Sequence, residues 1–103
     1  PLLLRSGKQP SDLASRKAPG FSKLYNSVQE QNFACVASDG RVLLGVTDKI
    51  DLPTLVLALQ RPEVSCEDAI RLTGLDTAGL WIGTTLFGND DYLYPNAIGV
   101  IRR

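Results

Sequence analysis

The chain has 103 residues, of which 44% are hydrophobic and 21% are charged, as in an ordinary globular domain. It contains no histidine, so this chain alone cannot form Ser-His-Asp or Cys-His catalytic pairs or a zinc site built on histidine. No apolar run is long enough to span a bilayer and nothing resembles a signal peptide, so we expect a cytoplasmic protein.

The formal net charge is zero, but the N-terminal segment is rich in basic residues. Pro10 and Pro19 interrupt any long helix near the N-terminus, so we predict an extended arm over residues 1–20 and a single domain over residues 21–103. A basic segment of this kind binds nucleic acid, an anionic surface or an acidic neighbour, and its simpler interpretation is a solvated tail. The candidate nucleic-acid-binding residues are Arg5, Lys8, Arg16, Lys17 and Lys23.

The first elements of the domain are predicted from local patterns. An apolar stripe, formed by Phe21, Leu24, Tyr25 and Val28, indicates a short helix. The pair Asp39-Gly40 then separates two apolar runs, which is typical of a two-residue type I′ hairpin. That turn would place Ala37 opposite Val42, Cys35 opposite Leu44 and Phe33 opposite Val46. Because both faces of this hairpin are apolar, we expect it to lie inside a covered sheet.

Two further helices are predicted after the hairpin. Asp51 is a suitable N-cap for the segment DLPTLVLALQ, Pro53 is tolerated in its first turn, and Pro62 ends it. The segment SCEDAIRLTGL has Ser65 as a second N-cap and Gly74 as a C-terminal cap. Its apolar face would be formed by Cys66, Ala69, Ile70 and Thr73.

The C-terminal stretch from Leu80 to Arg103 allows two interpretations. A helix-turn-helix would place a recognition helix over TAGLWIGTTLF, but this segment has two glycines, β-favouring residues and no lysine or arginine to contact a phosphate. Its residue types favour strands instead. We therefore predict a hairpin over residues 80–101 that turns at GNDD.

The resulting fold class is α+β. We predict a small antiparallel sheet of four or five strands with two or three helices packed on one face, plus the extended basic N-terminal arm. Helices from so short a chain cover one side of the sheet, so the other side would expose an apolar patch. The predicted interface residues are aromatic, since aromatic side chains often anchor interfaces: Trp81, Phe87, Tyr92 and Tyr94.

Few residues are candidates for catalysis or metal binding. Pro1, as a free N-terminus, has a secondary amine that could act as base or nucleophile. Cys35 and Cys66 are candidate thiols, with burial as the simpler reading and a disulfide as the alternative in a secreted protein. The run Asn89–Asp91 offers oxygen ligands without the alternating spacing of a calcium loop. We predict no metal or cofactor.

The sequence thus favours a non-enzymatic interaction or regulatory module that binds itself or another protein through its sheet. A nucleic-acid-binding protein that uses the basic arm is the alternative, and a small enzyme using Pro1 or a cysteine is the third hypothesis. If the arm folds back, the segment PLLL would fill the gap on the sheet instead of a partner.

Overall fold

The computed structural model describes residues 2–10, 25–74, 79–82, 84–88 and 98–100. These residues form mostly strands, with one short helix of eight residues. The prediction of two or three helices packed on a sheet is therefore wrong. In chain order, the elements are β1 (Leu2–Leu4), β2 (Gln31–Ala37), β3 (Val42–Val46), α1 (Leu52–Leu59), β4 (Cys66–Gly74), β5 (Gly79–Ile82) and β6 (Thr85–Gly88).

The strands form two antiparallel sheets. The larger sheet has four strands in the order β1-β4-β2-β3, and the smaller one pairs β5 with β6. Because β3 and β4 both run antiparallel to β2, which lies between them, α1 is the connection that carries the chain across β2. This crossover places α1 against one face of the larger sheet.

The segment predicted as the last helix is strand β4. Val36 pairs with Asp68 and Ala37 pairs with Cys66, so Glu67 is an extra residue in a β-bulge. The bulge puts Cys66 and Ala69, three residues apart, on the same buried face. A spacing of three residues is a helical signal in a sequence, and here the bulge produces it within a strand.

β4 contains a second bulge, which also alters the spacing of its side chains. Phe33 pairs with Arg71 and Asn32 pairs with Thr73, so Leu72 is the extra residue. The predicted stripe is thereby divided between the two faces of the sheet: Cys66 and Ala69 are buried, whereas Ile70 is exposed. The prediction of a helix was wrong because two bulges interrupt the alternation of side chains between the two faces that identifies a strand in a sequence.

The β2–β3 hairpin exists, but its turn is longer by one residue than predicted. Gly40 donates to the Ala37 carbonyl at 2.9 Å, Ala37 donates to the Arg41 carbonyl at 2.8 Å, and Gly40 has φ +88°. This is a three-residue loop that ends in a left-handed glycine. The Asp39 carboxylate accepts the Arg41 backbone N–H at 3.1 Å and its side chain at 2.6 Å, and these bonds lower the Asp39 pKa.

The longer turn shifts the predicted register by one residue. Cys35 pairs with Leu43 instead of Leu44, and Phe33 pairs with Gly45 instead of Val46. A shift of one residue exchanges the two faces of a strand. Leu43, which the predicted register placed away from Cys35, therefore packs against the core.

The helix over Leu52–Leu59 is confirmed, together with its cap. Asp51 accepts the Thr54 backbone N–H at 2.9 Å, and hydrogen bonds from the Thr54 side chain and backbone lower the Asp51 pKa. The helix ends at Leu59, with Gln60 as its C-cap. Its buried residues follow a helical stripe that faces the sheet: Leu52, Leu55, Val56 and Leu59.

The N-terminal segment contributes to the core. Leu3 and Leu4 are fully buried in β1, which pairs with β4. A type I′ turn follows, with φ +51° at Ser6 and φ +78° at Gly7. Residues 2–4 of the predicted arm are thus part of the sheet. Residues 11–24 lie outside the described residues, and they contain the predicted boundary between arm and domain and the first half of the predicted helix stripe over 21–28. Of that helix, Tyr25 and Asn26 are helical and Val28 is exposed.

Gly45 is required by the ring beside it. A Cβ atom at this position would overlap the Phe33 ring, which covers the glycine from its paired position on β2. We expect Gly45→Ala to lower the free energy of unfolding by about 1–3 kcal/mol, because an added methyl forces the ring or the strand to move. Urea denaturation followed by circular dichroism measures this change.

Gly99→Ala is the matched control for that substitution, since no atom lies within 4 Å of a Cβ placed there. Adding Phe33→Leu to Gly45→Ala should restore part of the lost stability. Equal stability of the Gly45→Ala protein and the wild type would show that the ring does not need the glycine.

Candidate interaction surface

The two faces of the four-stranded sheet have different surroundings. On one face, α1 covers a core that includes Cys35, Cys66 and Ala69. The opposite face, which we call the open face, is not covered by any helix among the described residues. Alternation along antiparallel strands determines which residues it carries.

The open face consists of cross-strand rows. One row joins Val42, Val36 and Asp68, and the next joins Leu44, Ala34 and Ile70. Leu2 of β1 extends the second row beyond Ile70. A third row begins with Val46 and Asn32. Seven of these nine side chains are apolar, which is unusual for the solvent side of an antiparallel sheet.

The most exposed side chains of the open face lie in its first and second rows. Val42 is 69% exposed, while Ile70 is 44% and Val36 is 43% exposed. Leu72, the extra residue of the second bulge, is 41% exposed. Single exposed apolar residues are normal on a protein surface, but a contiguous set of them marks an interaction site.

The β5–β6 hairpin is attached at the third row by one side chain. The Asn32 amide oxygen accepts the Gly79 N–H at 2.8 Å, and its Nδ2 donates to the Gly79 carbonyl at 3.1 Å. Asn32 also donates to the Gly45 carbonyl at 3.3 Å. A single amide therefore imitates the pairing of a backbone strand and holds the small sheet beside β3.

The predicted aromatic interface lies on this hairpin or outside the described residues. Trp81 is in β5, where it pairs with Leu86, and Phe87 is in β6 and is 48% exposed. Tyr92 and Tyr94 lie outside the described residues. The aromatic interface thus stays a prediction.

The strand prediction for the C-terminal stretch is confirmed for residues 80–82 and 85–88, which form no helix. The turn is wrongly placed, however, because Ile82 pairs with Thr85. The chain therefore reverses before Phe87, and GNDD does not link the two strands. With β4, β5 and β6 all strands, the helix-turn-helix interpretation has no support among the described residues.

Two of the five predicted basic residues are described. Arg5 and Lys8 are exposed and exchange backbone hydrogen bonds across the turn after β1. The Ser6 N–H of that turn donates to the Asp68 carboxylate at 3.3 Å, so an acidic group accompanies these bases. Arg16, Lys17 and Lys23 lie outside the described residues, and nucleic-acid binding stays a prediction.

A polar cluster lies near the end of the sheet on the α1 side. Arg71 donates through Nε to the Gln31 amide oxygen at 2.7 Å and through Nη2 to that of Gln29 at 3.0 Å. Gln31 is fully buried and donates to the Ile50 carbonyl at 3.0 Å. Burial lowers the Arg71 pKa. We assign the cluster a structural role, because its side-chain donors and acceptors are used to join β2, β4 and the chain before α1.

The cysteine hypothesis is corrected by a disulfide. Cys35 and Cys66 are bonded to each other and each is 3% exposed, so neither supplies a thiol nucleophile. Pro1 and Asn89–Asp91 lie outside the described residues. Among the helices described here, none is long and apolar enough to cross a membrane.

Sequence reasoning missed most of the open face. It placed Ile70 on a buried helical face and did not single out Val42 or Leu72. The available signal was the excess of apolar residues on both faces of the first hairpin, but assigning the exposed ones required the turn length and the two bulges.

Comparison with known proteins gives information on the fold alone. No protein-family model matches the sequence, and no curated protein matches it. A crystal structure of a hypothetical protein from Synechocystis is similar, with a TM-score of 0.65 and 20% sequence identity over 86% of this chain. The matched region is 17% of that protein, so the same arrangement of strands occurs there within a much longer polypeptide.

Proposed function

We propose that this domain is a non-enzymatic protein-interaction module that works through its four-stranded sheet. The observation that carries the proposal is the open face, with exposed Val36, Val42 and Ile70 side by side in cross-strand rows. Burying such a surface against a protein removes apolar area from water, which is the main favourable contribution to most protein association.

The chemistry of the chain supports an interaction module over an enzyme. There is no histidine, and both cysteines are joined in a disulfide. Arg71, whose guanidinium is partly buried, donates to two glutamines. Among the described residues, these features offer no acid, base or nucleophile arranged for a reaction.

The disulfide also bears on where the module works. Disulfides persist in oxidising environments and are rare in reducing ones. We therefore place the functional form in an oxidising compartment, in place of the cytoplasmic location expected from the sequence. Intact-mass measurement of the freshly isolated protein after alkylation in denaturant without reductant tests this, because denaturant exposes both residues: unmodified cysteines support it, and alkylation of both contradicts it.

Val42→Lys tests the proposed function. We expect the wild-type protein to associate and this substitution to weaken its association by at least about tenfold in Kd, because a charged group would replace apolar surface at the contact. Sedimentation equilibrium over a wide concentration range measures the mass against the 11.2 kDa of one chain.

Leu57→Lys is the matched control. Leu57 lies on α1 and is 68% exposed, against 69% for Val42, so the same charge is added at an equally exposed apolar position. A wild-type protein that remains at the mass of one chain, or equal Kd values for the two variants, would contradict the proposal.

A further inference from the structure

One edge of the four-stranded sheet is suited to strand addition. The sheet ends at β1 on one side and at β3 on the other. β1 has only three residues and leads into the turn at Arg5–Lys8, and so short an edge is protected from pairing. β3 has the sequence VLLGV, without charge, proline or bulge. The nearby β5–β6 hairpin is attached through the Asn32 side chain and forms no ladder with β3, so among the described residues this edge has no strand paired to it.

The direction of the backbone groups of β3 follows from its pairing with β2. Thr47 donates to the Gln31 carbonyl at 2.9 Å, and Ala37 donates to the Arg41 carbonyl at 2.8 Å. The odd-numbered residues of β3 therefore face β2, and alternation turns the backbone groups of Val42, Leu44 and Val46 outward. We call these outward groups the β3 edge. No strand among the described residues pairs with it.

We propose that the β3 edge pairs with the β3 edge of a second copy of this chain, in antiparallel register centred on Leu44. The inference rests on the proposed function and names the partner. In this register Leu44 pairs with Leu44 of the second copy, and Val42 pairs with its Val46. The outward backbone groups of all three residues then form ladder hydrogen bonds, as in a regular antiparallel pair.

The side chains match in this register on both faces of the sheet. On the open face, the new pairs are Leu–Leu and Val–Val, which stabilise neighbouring strands. On the α1 side, Leu43 lies opposite Gly45 of the second copy, where the Phe33 ring that covers this glycine provides an apolar neighbour. The two open faces adjoin across eight strands, with the β5–β6 hairpin of each copy attached at its third row.

The charges at the ends of β3 are also complementary. Asp39 and Arg41 precede the strand, and Asp48 and Lys49 follow it. The same two-fold register places Asp39 opposite Lys49 of the second copy and Arg41 beside its Asp48. All four residues are exposed, so these pairs contribute to register and specificity more than to affinity. An isologous contact of this kind closes at two copies.

Single cysteine substitutions test the register. Paired residues across antiparallel strands have Cα atoms about 5.5 Å apart, within the range for a disulfide. Leu44→Cys should therefore form a covalent dimer under mild oxidation with diamide. Val42→Cys should not do so alone, because two copies of residue 42 would be separated by about 13 Å along the strands. Mixing Val42→Cys with Val46→Cys should give the covalent heterodimer.

The native disulfide does not interfere with this assay, since Cys35 and Cys66 are each 3% exposed, and peptide mapping identifies the bonded pair. A second variant, Leu44→Pro, removes the outward N–H while keeping an apolar side chain. We expect it to abolish association with an unchanged far-ultraviolet circular dichroism spectrum.

The outcomes separate this inference from the proposed function. Wild-type association without preferential cross-linking of Leu44→Cys over Val42→Cys overturns the edge pairing and leaves the open face as the interaction surface. A wild-type protein that is monomeric in sedimentation, with no cross-linking, overturns both.

Discussion

Reduction of the Cys35–Cys66 disulfide is expected to lower the free energy of unfolding by about 3–4 kcal/mol. The bond closes a loop between residues 31 positions apart, and opening it increases the conformational entropy of the unfolded chain. It also joins β2 to the first residue of β4, next to the bulge at Glu67. Since small domains are stable by only about 5–15 kcal/mol, this is a large fraction of the total.

Guanidinium denaturation with and without reductant measures the effect. The double substitution Cys35→Ala with Cys66→Ala provides a form in which the bond cannot re-form, and added reductant should not change its midpoint. Unfolding midpoints that coincide for the oxidised, reduced and doubly substituted proteins would show that the cross-link does not stabilise the fold.

Leu3→Ala and Leu4→Ala are each expected to cost about 2–5 kcal/mol of unfolding free energy. Both side chains are fully buried in the core cluster with Leu52 and Val56 of α1, so truncation loses apolar contacts and leaves a cavity. This result would distinguish a core strand from the solvated tail that the basic composition of the N-terminal segment favours.

Thermal unfolding of the two variants, with Leu57→Ala as control, measures these costs. Leu57 is 68% exposed, so its truncation should change stability by no more than about 0.5 kcal/mol. If the Leu3 and Leu4 variants behave like the Leu57 variant, β1 is not part of the cooperative core.

The open face and the β3 edge have a common origin in the topology. Among the described residues, α1 is the only helix that covers the sheet, and its apolar stripe packs on one face. The strand order leaves β3 at an edge, with apolar residues on both of its sides. Apolar residues that a second layer would bury, such as Val36, Val42 and Ile70, are instead exposed.

The sequence by itself determined the features that depend on near neighbours. The cap at Asp51, the extent of α1, the presence of a hairpin around Asp39-Gly40 and the strand character of residues 80–82 and 85–88 follow from local hydrogen bonding and residue preference. These are effects within a few residues, where the side chain and the backbone group that it satisfies are close in sequence.

Only the tertiary structure decided the rest. The extra turn residue Ser38 set the register of β3, and two bulges in β4 let a strand carry a helical spacing of apolar residues. Pairing with β4 drew Leu2–Leu4 into the core, and the approach of Cys35 to Cys66 converted two separate thiols into one bond. Each of these features depends on contacts between residues far apart in the chain. A local sequence pattern does not show the energies of such contacts.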